Sequence, residues 1–151
     1  MKIIFSSSDL MDSVKRILQY VSGKQTCIPE DYYRYVPCSA DATMLSQLLR
    51  ESIAWLSART IMMWEGASMV SDTIEICFKV SSKPLNELHA SEEFKSIVKE
   101  ALQCRIIFLW LRLAGWDRLE EWDDKSEQLA AEINRQLRLN VPLRPRRPHP
   151  Y

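Results

Sequence analysis

Glycine is scarce in this chain of 151 residues, which contains three glycines, Gly23, Gly66 and Gly115. Glycine-rich phosphate-binding loops and turn-rich all-β folds need more glycine than this, so the sequence argues against both. The Gly-x-Ser-x-Gly motif that presents a serine nucleophile in many hydrolases is also missing. No catalytic residue is predicted, and we expect a protein that is not an enzyme.

Metal ligands are equally sparse. The chain has two histidines, His89 and His149, and four cysteines without a Cys-x-x-Cys pair, whereas structural zinc sites usually contain such closely spaced pairs. Acidic residues cluster near the start of one predicted helix, but on a single helix they spread around the circumference and do not converge on a cation. The sequence therefore predicts no metal site and no cofactor. The acidic cluster comprises Asp117, Glu120, Glu121, Asp123 and Asp124.

Net charge is absent, because 20 basic residues balance 20 acidic ones. This balance gives the chain no overall attraction to nucleic acid or to an anionic membrane. The most apolar stretch, residues 101–115, is interrupted by two arginines and is shorter than the roughly 20 residues of a membrane span. We expect no membrane partner and no strong nucleic-acid partner, and a location in the cytoplasm or in a virion.

Helical periodicity dominates what is present. Apolar residues recur every three or four positions in four segments, which follow Ser6, Ser39, Ser91 and Asp117. The third segment is apolar nearly all round between Ile106 and Leu111 and is predicted to be the central core helix. The expected fold is mainly α: a four-helix bundle-like single domain over residues 1–139, with one or two short β-strands.

Two segments are predicted to form β-strands. Thr73 to Val80 alternates apolar and polar residues, and Lys2 to Phe5 forms a short apolar run. A single strand is not stable by itself. Because Lys2 to Phe5 is the one weak partner that the chain offers, the pattern hints at strand pairing between molecules.

Two arginines lie within the apolar third helix. Arg105 and Arg112 are seven residues apart and share one helical face. A buried arginine needs a partner of opposite charge. We expect a pair with acidic residues of the fourth helix, and a partner protein is the alternative.

Interface candidates come from aromatic residues and from the C-terminal tail. Tyrosine is frequent at interfaces but can equally pack a loop onto a core. The tail, residues 140–151, carries four prolines and three arginines and is predicted to be extended. It can contact a neighbouring subunit, remain unstructured or bind nucleic acid weakly. The candidate interface residues are Tyr32, Tyr33, Tyr35, Trp64, Arg144, Arg146, Arg147 and Tyr151.

The segment from Asp9 to Leu18 carries leucines on either side of a Val-Lys pair. A loop and a long helix follow, and two further helices come after them. The long helix carries a second rhythm and ends at Glu65 and Gly66; its residues are Asp41, Leu45, Leu48, Leu49, Ile53, Ala54 and Ala58. These segments and their order resemble those of the small helical phage head–tail connector (adaptor) proteins, whose opening helix has a similar Leu-x-x-Val-Lys-x-x-Leu rhythm.

This resemblance implies a structural virion protein that forms a ring between portal and tail. Its partners would be further copies of itself, the portal protein and tail proteins, and no family residue transfers as a catalytic group. Two other hypotheses follow from the residues alone. One is a small helical adaptor or regulatory protein that binds one protein partner, and the other is a weak nucleic-acid binder that uses its basic tail.

Overall fold

The computed structural model describes residues 1–25, 35–79 and 92–139. Within these ranges the chain is mainly helical, as predicted, with four α-helices and a three-stranded sheet. The strands are β1 (Lys2–Ser6), β2 (Trp64–Val70) and β3 (Thr73–Phe78). The helices are α1 (Ser7–Gln25), α2 (Ala42–Arg59), α3 (Glu92–Ala114) and α4 (Glu120–Leu139), and a 3-10 turn over Ser39–Asp41 leads into α2.

The sheet is antiparallel and has the order β1-β3-β2. Ile3 lies opposite Ile76 in one pair of strands, and Ala67 lies opposite Ile76 in the other. The central strand therefore has a partner on each side within its own chain. The hint that β3 needs a strand from another molecule was wrong, because it overlooked β2.

Strand β2 replaces what the sequence indicated as the end of the second helix. Helix α2 ends at Arg59, where the amide and the hydroxyl of Thr60 both donate to the carbonyl of Leu56, at 3.0 and 2.8 Å. A bulge between Trp64 and Gly66 then shifts the register of β2 against β3. The prediction of one or two strands was therefore one strand short.

Helix α3 is the centre of the core, as the sequence predicted, and it contacts α1, α2 and α4. The core also includes the inner face of the sheet, formed by side chains such as Ile3, Ile74 and Phe78. A four-helix bundle is therefore not confirmed, since helices and sheet share one core. The buried residues of α3 are Phe94, Val98, Ala101, Leu102, Cys104, Ile106, Ile107, Trp110 and Leu111.

The predicted arginine pair is confirmed for Arg105. Its guanidinium donates to the carboxylate of Asp123 in α4 at 2.6 Å and lies 5.0 Å from the ring centre of Trp55 and 4.6 Å from that of Phe108. Arg112 is exposed near the end of α3. The predicted tail, residues 140–151, lies outside the described residues, so the boundary near residue 139 stays a prediction. None of the described helices is long and apolar enough to cross a membrane.

Candidate functional site

The outer edge of β2 is open in the described part of the chain. Phe78 of β3 exchanges two main-chain hydrogen bonds with Met1, at 2.8 and 2.7 Å. Since main-chain groups alternate sides along a strand, Glu75 and Cys77 must bond to the opposite neighbour, β2. Their partners there are Ser68 and Gly66, so the intervening Ala67 directs its N–H and C=O away from the sheet.

The same alternation applies to Met69, which lies opposite Ile74. Ala67 and Met69 therefore both offer main-chain groups at the open edge of the sheet. The edge is flanked by α2, and two adjoining depressions of about 320 and 340 Å³ run beside it. We call this surface the β2 edge groove; it is lined by Ser7, Ser8, Met11, Ser46, Leu49, Arg50, Ile53, Ala67, Ser68, Met69, Ser71 and Asp72.

Arg50 supplies an unneutralised charge in the β2 edge groove. Its side chain is exposed on α2, and within the described ranges it has no ion pair. Leu49 and Ile53 lie beneath the groove and are buried, so its accessible apolar surface comes mainly from the half-buried Met69. The groove therefore offers main-chain groups, part of an apolar side chain and a cation within a short distance.

A cluster of hydrogen bonds lies at one end of the groove, around Asp72. The carboxylate of Asp72, in the turn between β2 and β3, accepts bonds from the hydroxyls of Ser6, Ser7 and Ser8, at 2.6, 2.8 and 2.8 Å. It also accepts one from the amide of Ser8 at 2.7 Å. These donors, with the Ser6 hydroxyl first, hold the pKa of Asp72 well below its usual range.

The turn between α2 and β2 exposes two neighbouring apolar side chains. Ile61 is 70% exposed and Met62 is 81% exposed. The turn itself is ordered by hydrogen bonds, since the amide of Met63 donates to the carbonyl of Thr60 at 2.9 Å. We call Ile61 and Met62 the apolar turn; it directly precedes the open strand β2.

The two predicted interface residues that the structure describes are both half-buried. The Tyr35 ring packs edge to face on the Trp116 ring, with ring centres 4.5 Å apart. The main-chain carbonyl of Tyr35 accepts a hydrogen bond from the Trp110 indole N–H at 2.8 Å. Trp64 packs edge to face on Phe78, with ring centres 5.6 Å apart. Both residues anchor local structure to the core, and part of the surface of each stays exposed. The remaining candidates, Tyr32, Tyr33, Arg144, Arg146, Arg147 and Tyr151, lie outside the described residues.

The acidic start of α4 is used in part for internal contacts. Asp123 pairs with Arg105, and farther along α4 Glu127 receives bonds from Arg59 and from the indole of Trp55. The hydrogen bond from Arg59 is the main cause that lowers the pKa of Glu127. Across the described ranges, no group of three or more histidine, cysteine, aspartate or glutamate side chains is arranged to hold a metal ion.

Sequence reasoning missed the open edge, Arg50 and the apolar turn. The sequence pattern places Met62 on the apolar flank of a longer second helix that ends at Gly66, and this interpretation leaves β2 unrecognised as a strand. The available signal was a weak one: an unusual run of apolar residues after Arg59, followed by Gly66 and small side chains. Comparison of the chain with protein-family models, curated proteins and solved structures found no match.

Proposed function

We propose that this chain is a non-enzymatic structural protein that works by binding other protein subunits. The specific form that we propose is a head–tail connector, which assembles with copies of itself into a ring between a phage portal and its tail. The observation that carries the proposal is the apolar turn. Ile61 and Met62 are adjacent, are largely exposed and lie in a hydrogen-bonded turn.

Exposed apolar side chains favour association because burial removes them from water. Complete burial of a side chain of this size contributes about 2 kcal/mol. The turn is held at Thr60, whose amide and hydroxyl donate hydrogen bonds to the carbonyl of Leu56, so little main-chain entropy remains to be lost on binding. A flexible methionine can also adapt to the shape of a partner.

Native mass measured over a range of protein concentrations tests this proposal. Light scattering after size exclusion is expected to show a discrete species of more than two subunits for the full-length chain. The double variant Ile61→Ser with Met62→Ser is expected to move the mass toward that of the monomer. The matched control is Leu113→Ser, which removes a side chain of similar exposure, 63%, from the end of α3 and is expected to leave the mass unchanged.

The tail is tested in the same way. Removal of residues 140–151 is expected to weaken assembly if the tail contacts a neighbour, and a normal mass would remove the tail from the proposal. A strict monomer at every concentration would contradict self-assembly and favour the adaptor alternative. Binding of DNA or RNA that collapses with salt and is lost when Arg144, Arg146 and Arg147 become alanine would favour the nucleic-acid alternative.

A further inference from the structure

The open edge of β2 lacks the features that usually protect a sheet edge. Charged side chains, prolines and bulges keep strands from pairing with other molecules. The stretch from Gly66 to Val70 contains neither a charge nor a proline, and the bulge lies at its start, beside Glu65. The opposite edge, β1, carries Lys2.

Small side chains make this edge accessible to a second main chain. Gly66, Ala67 and Ser68 follow one another, and both Ala67 and Ser68 are exposed. Glycine within a strand often marks a place where another backbone approaches closely. The main-chain groups of Ala67 and Met69 can therefore accept a further strand without displacing large side chains.

The positive charge of Arg50 beside the edge of β2 favours a partner strand that carries a negative charge. Arg50 lines both depressions of the β2 edge groove and is its one cationic lining residue. The acidic lining residue, Asp72, is already bonded to Ser6, Ser7 and Ser8 at the N-terminus of α1. Glu65 lies at the start of β2 and lines a depression on the opposite face of the sheet, which it shares with Gly66, Ala67 and Ser68. Lys2 and Glu75 in that depression pair with each other at 2.9 Å.

We infer that the β2 edge groove binds an extended acidic segment of a partner protein, which adds to the sheet as a fourth strand. Its main chain pairs with Ala67 and Met69, and a carboxylate of the segment meets Arg50. This mode of recognition takes affinity from main-chain hydrogen bonds and specificity from side-chain contacts. The inference rests on the proposed function and names the chemistry of the partner.

The direct test uses the full-length protein and three acetylated peptides of seven residues. Each peptide alternates valine and threonine and carries glutamate, glutamine or lysine at its central position. In an NMR titration, the glutamate peptide is expected to shift the amide signals of Ala67 and Met69. It should bind about tenfold more tightly than the lysine peptide, as a rim charge pair predicts. Equal binding of the three peptides, or shifts confined to β1, would overturn the inference.

Two substitutions locate the contact. Arg50→Glu is expected to reverse the preference, so that the lysine peptide binds more tightly than the glutamate peptide. Ala67→Pro removes an outward N–H and should abolish binding, because proline is tolerated on a strand edge but cannot donate there. The matched control is Ile4→Pro, which removes an outward N–H from β1 at the other edge and should leave binding intact.

Three further results would distinguish the possible causes of altered binding. If Ala67→Pro disturbs the fold, as circular dichroism would show, Arg50→Glu decides the question because its side chain is exposed and its backbone is unchanged. If the amides of Ala67 and Met69 shift with protein concentration alone and the mass doubles, the edge binds a second copy and the inference is wrong. Failure of the peptides while assembly still depends on Ile61 and Met62 would overturn this inference and leave the proposed function standing.

Discussion

The carboxylate of Asp72 accepts a hydrogen bond of 2.6 Å from the hydroxyl of Ser6, a residue that precedes it by 66 positions. This bond ties the turn of the β2–β3 hairpin to the start of α1. The amide of Ser7 adds a second tie, since it donates to the main-chain carbonyl of Asp72 at 2.8 Å. A negative charge at a helix N-terminus is also favourable for the helix dipole, so Asp72 serves the helix as well as the hairpin.

Acid is expected to weaken the molecule through Asp72. The folded-state pKa of this carboxyl is lowered from its ordinary value of 3.8. The stabilising contribution of the Asp72 carboxylate is therefore complete at pH values well above 3.8. It is lost as the pH falls past 3.8 toward the folded-state pKa. We expect Asp72→Asn to lower the melting temperature at pH 7 and to flatten its dependence on pH between about 5 and 3. Thermal unfolding curves of both proteins over this range provide the measurement, and parallel curves would contradict the role of Asp72.

Ser71 is expected to carry backbone strain. It has a φ of 53°, in the left-handed region. Among the described residues other than glycine, no other has a positive φ. It is the first residue of a two-residue hairpin turn, a position where glycine is favoured when φ is positive. Ser71→Gly should therefore stabilise the fold by about 1 kcal/mol. Urea unfolding checks this, with Ser71→Ala as a control that keeps the strain; a lower midpoint for the glycine variant would refute it.

The Arg105–Asp123 pair is expected to respond unequally to the loss of its two members. The Arg105 side chain is 17% exposed, and its Nε is buried and has no hydrogen-bond partner in the described ranges. Asp123→Ala leaves a mostly buried cation without its counterion and should cost about 2 kcal/mol of unfolding free energy. Arg105→Met keeps the contact with Trp55 and Phe108 and should cost less.

A double-mutant cycle measures this asymmetry. The variant with both substitutions is expected to resemble Arg105→Met alone in urea unfolding, because Asp123 loses its hydrogen-bonded cation once Arg105 is replaced. Additive costs would show that the two side chains act independently and that the hydrogen bond between them contributes little.

Cys104 is expected to be unreactive in the folded protein. It is buried on α3, and this burial raises the pKa of its thiol to about 11. The thiolate that reacts with electrophiles is therefore scarce at pH 8. Labelling with a maleimide, followed by peptide mass spectrometry, should modify the exposed Cys38 and reach Cys104 after addition of urea. Fast labelling of Cys104 without denaturant would show that α3 opens readily.

Local patterns were sufficient to predict that the four helices and β3 exist, but not where the second helix ends. The alternation of Ile74, Ile76 and Phe78 with polar residues and the nearly uniform apolar character of α3 both reflect burial that each segment shows by itself. Strand β2 shows no such alternation, because its bulge at Glu65 shifts the pattern and its three central residues, Gly66, Ala67 and Ser68, are small. Its strand conformation follows from pairing with β3, which no local reading of the sequence reveals.

The residues of the candidate site could be predicted only where a local pattern marked them. The Arg105–Asp123 pair was predictable because a buried charge requires a partner and the acidic start of α4 was visible in the sequence. The open edge depends on which residues of β2 face β3, and that register is set by contacts across the sheet. Arg50 had no distinguishing feature among the exposed residues of a helix until β2 was found beside it.

The pairing of β1 with β3 also has a consequence for folding during synthesis. Strand β1 leaves the ribosome early, but its only described strand partner ends at Phe78. The apolar side chains of β1 stay exposed until that partner emerges, and those of α1 stay exposed until α3 is made. The β2–β3 hairpin, joined by two residues, can close as soon as it is made. We therefore expect the first of the three strands to be made to pair last, and nascent chains that stop before Phe78 to expose β1 to chaperones.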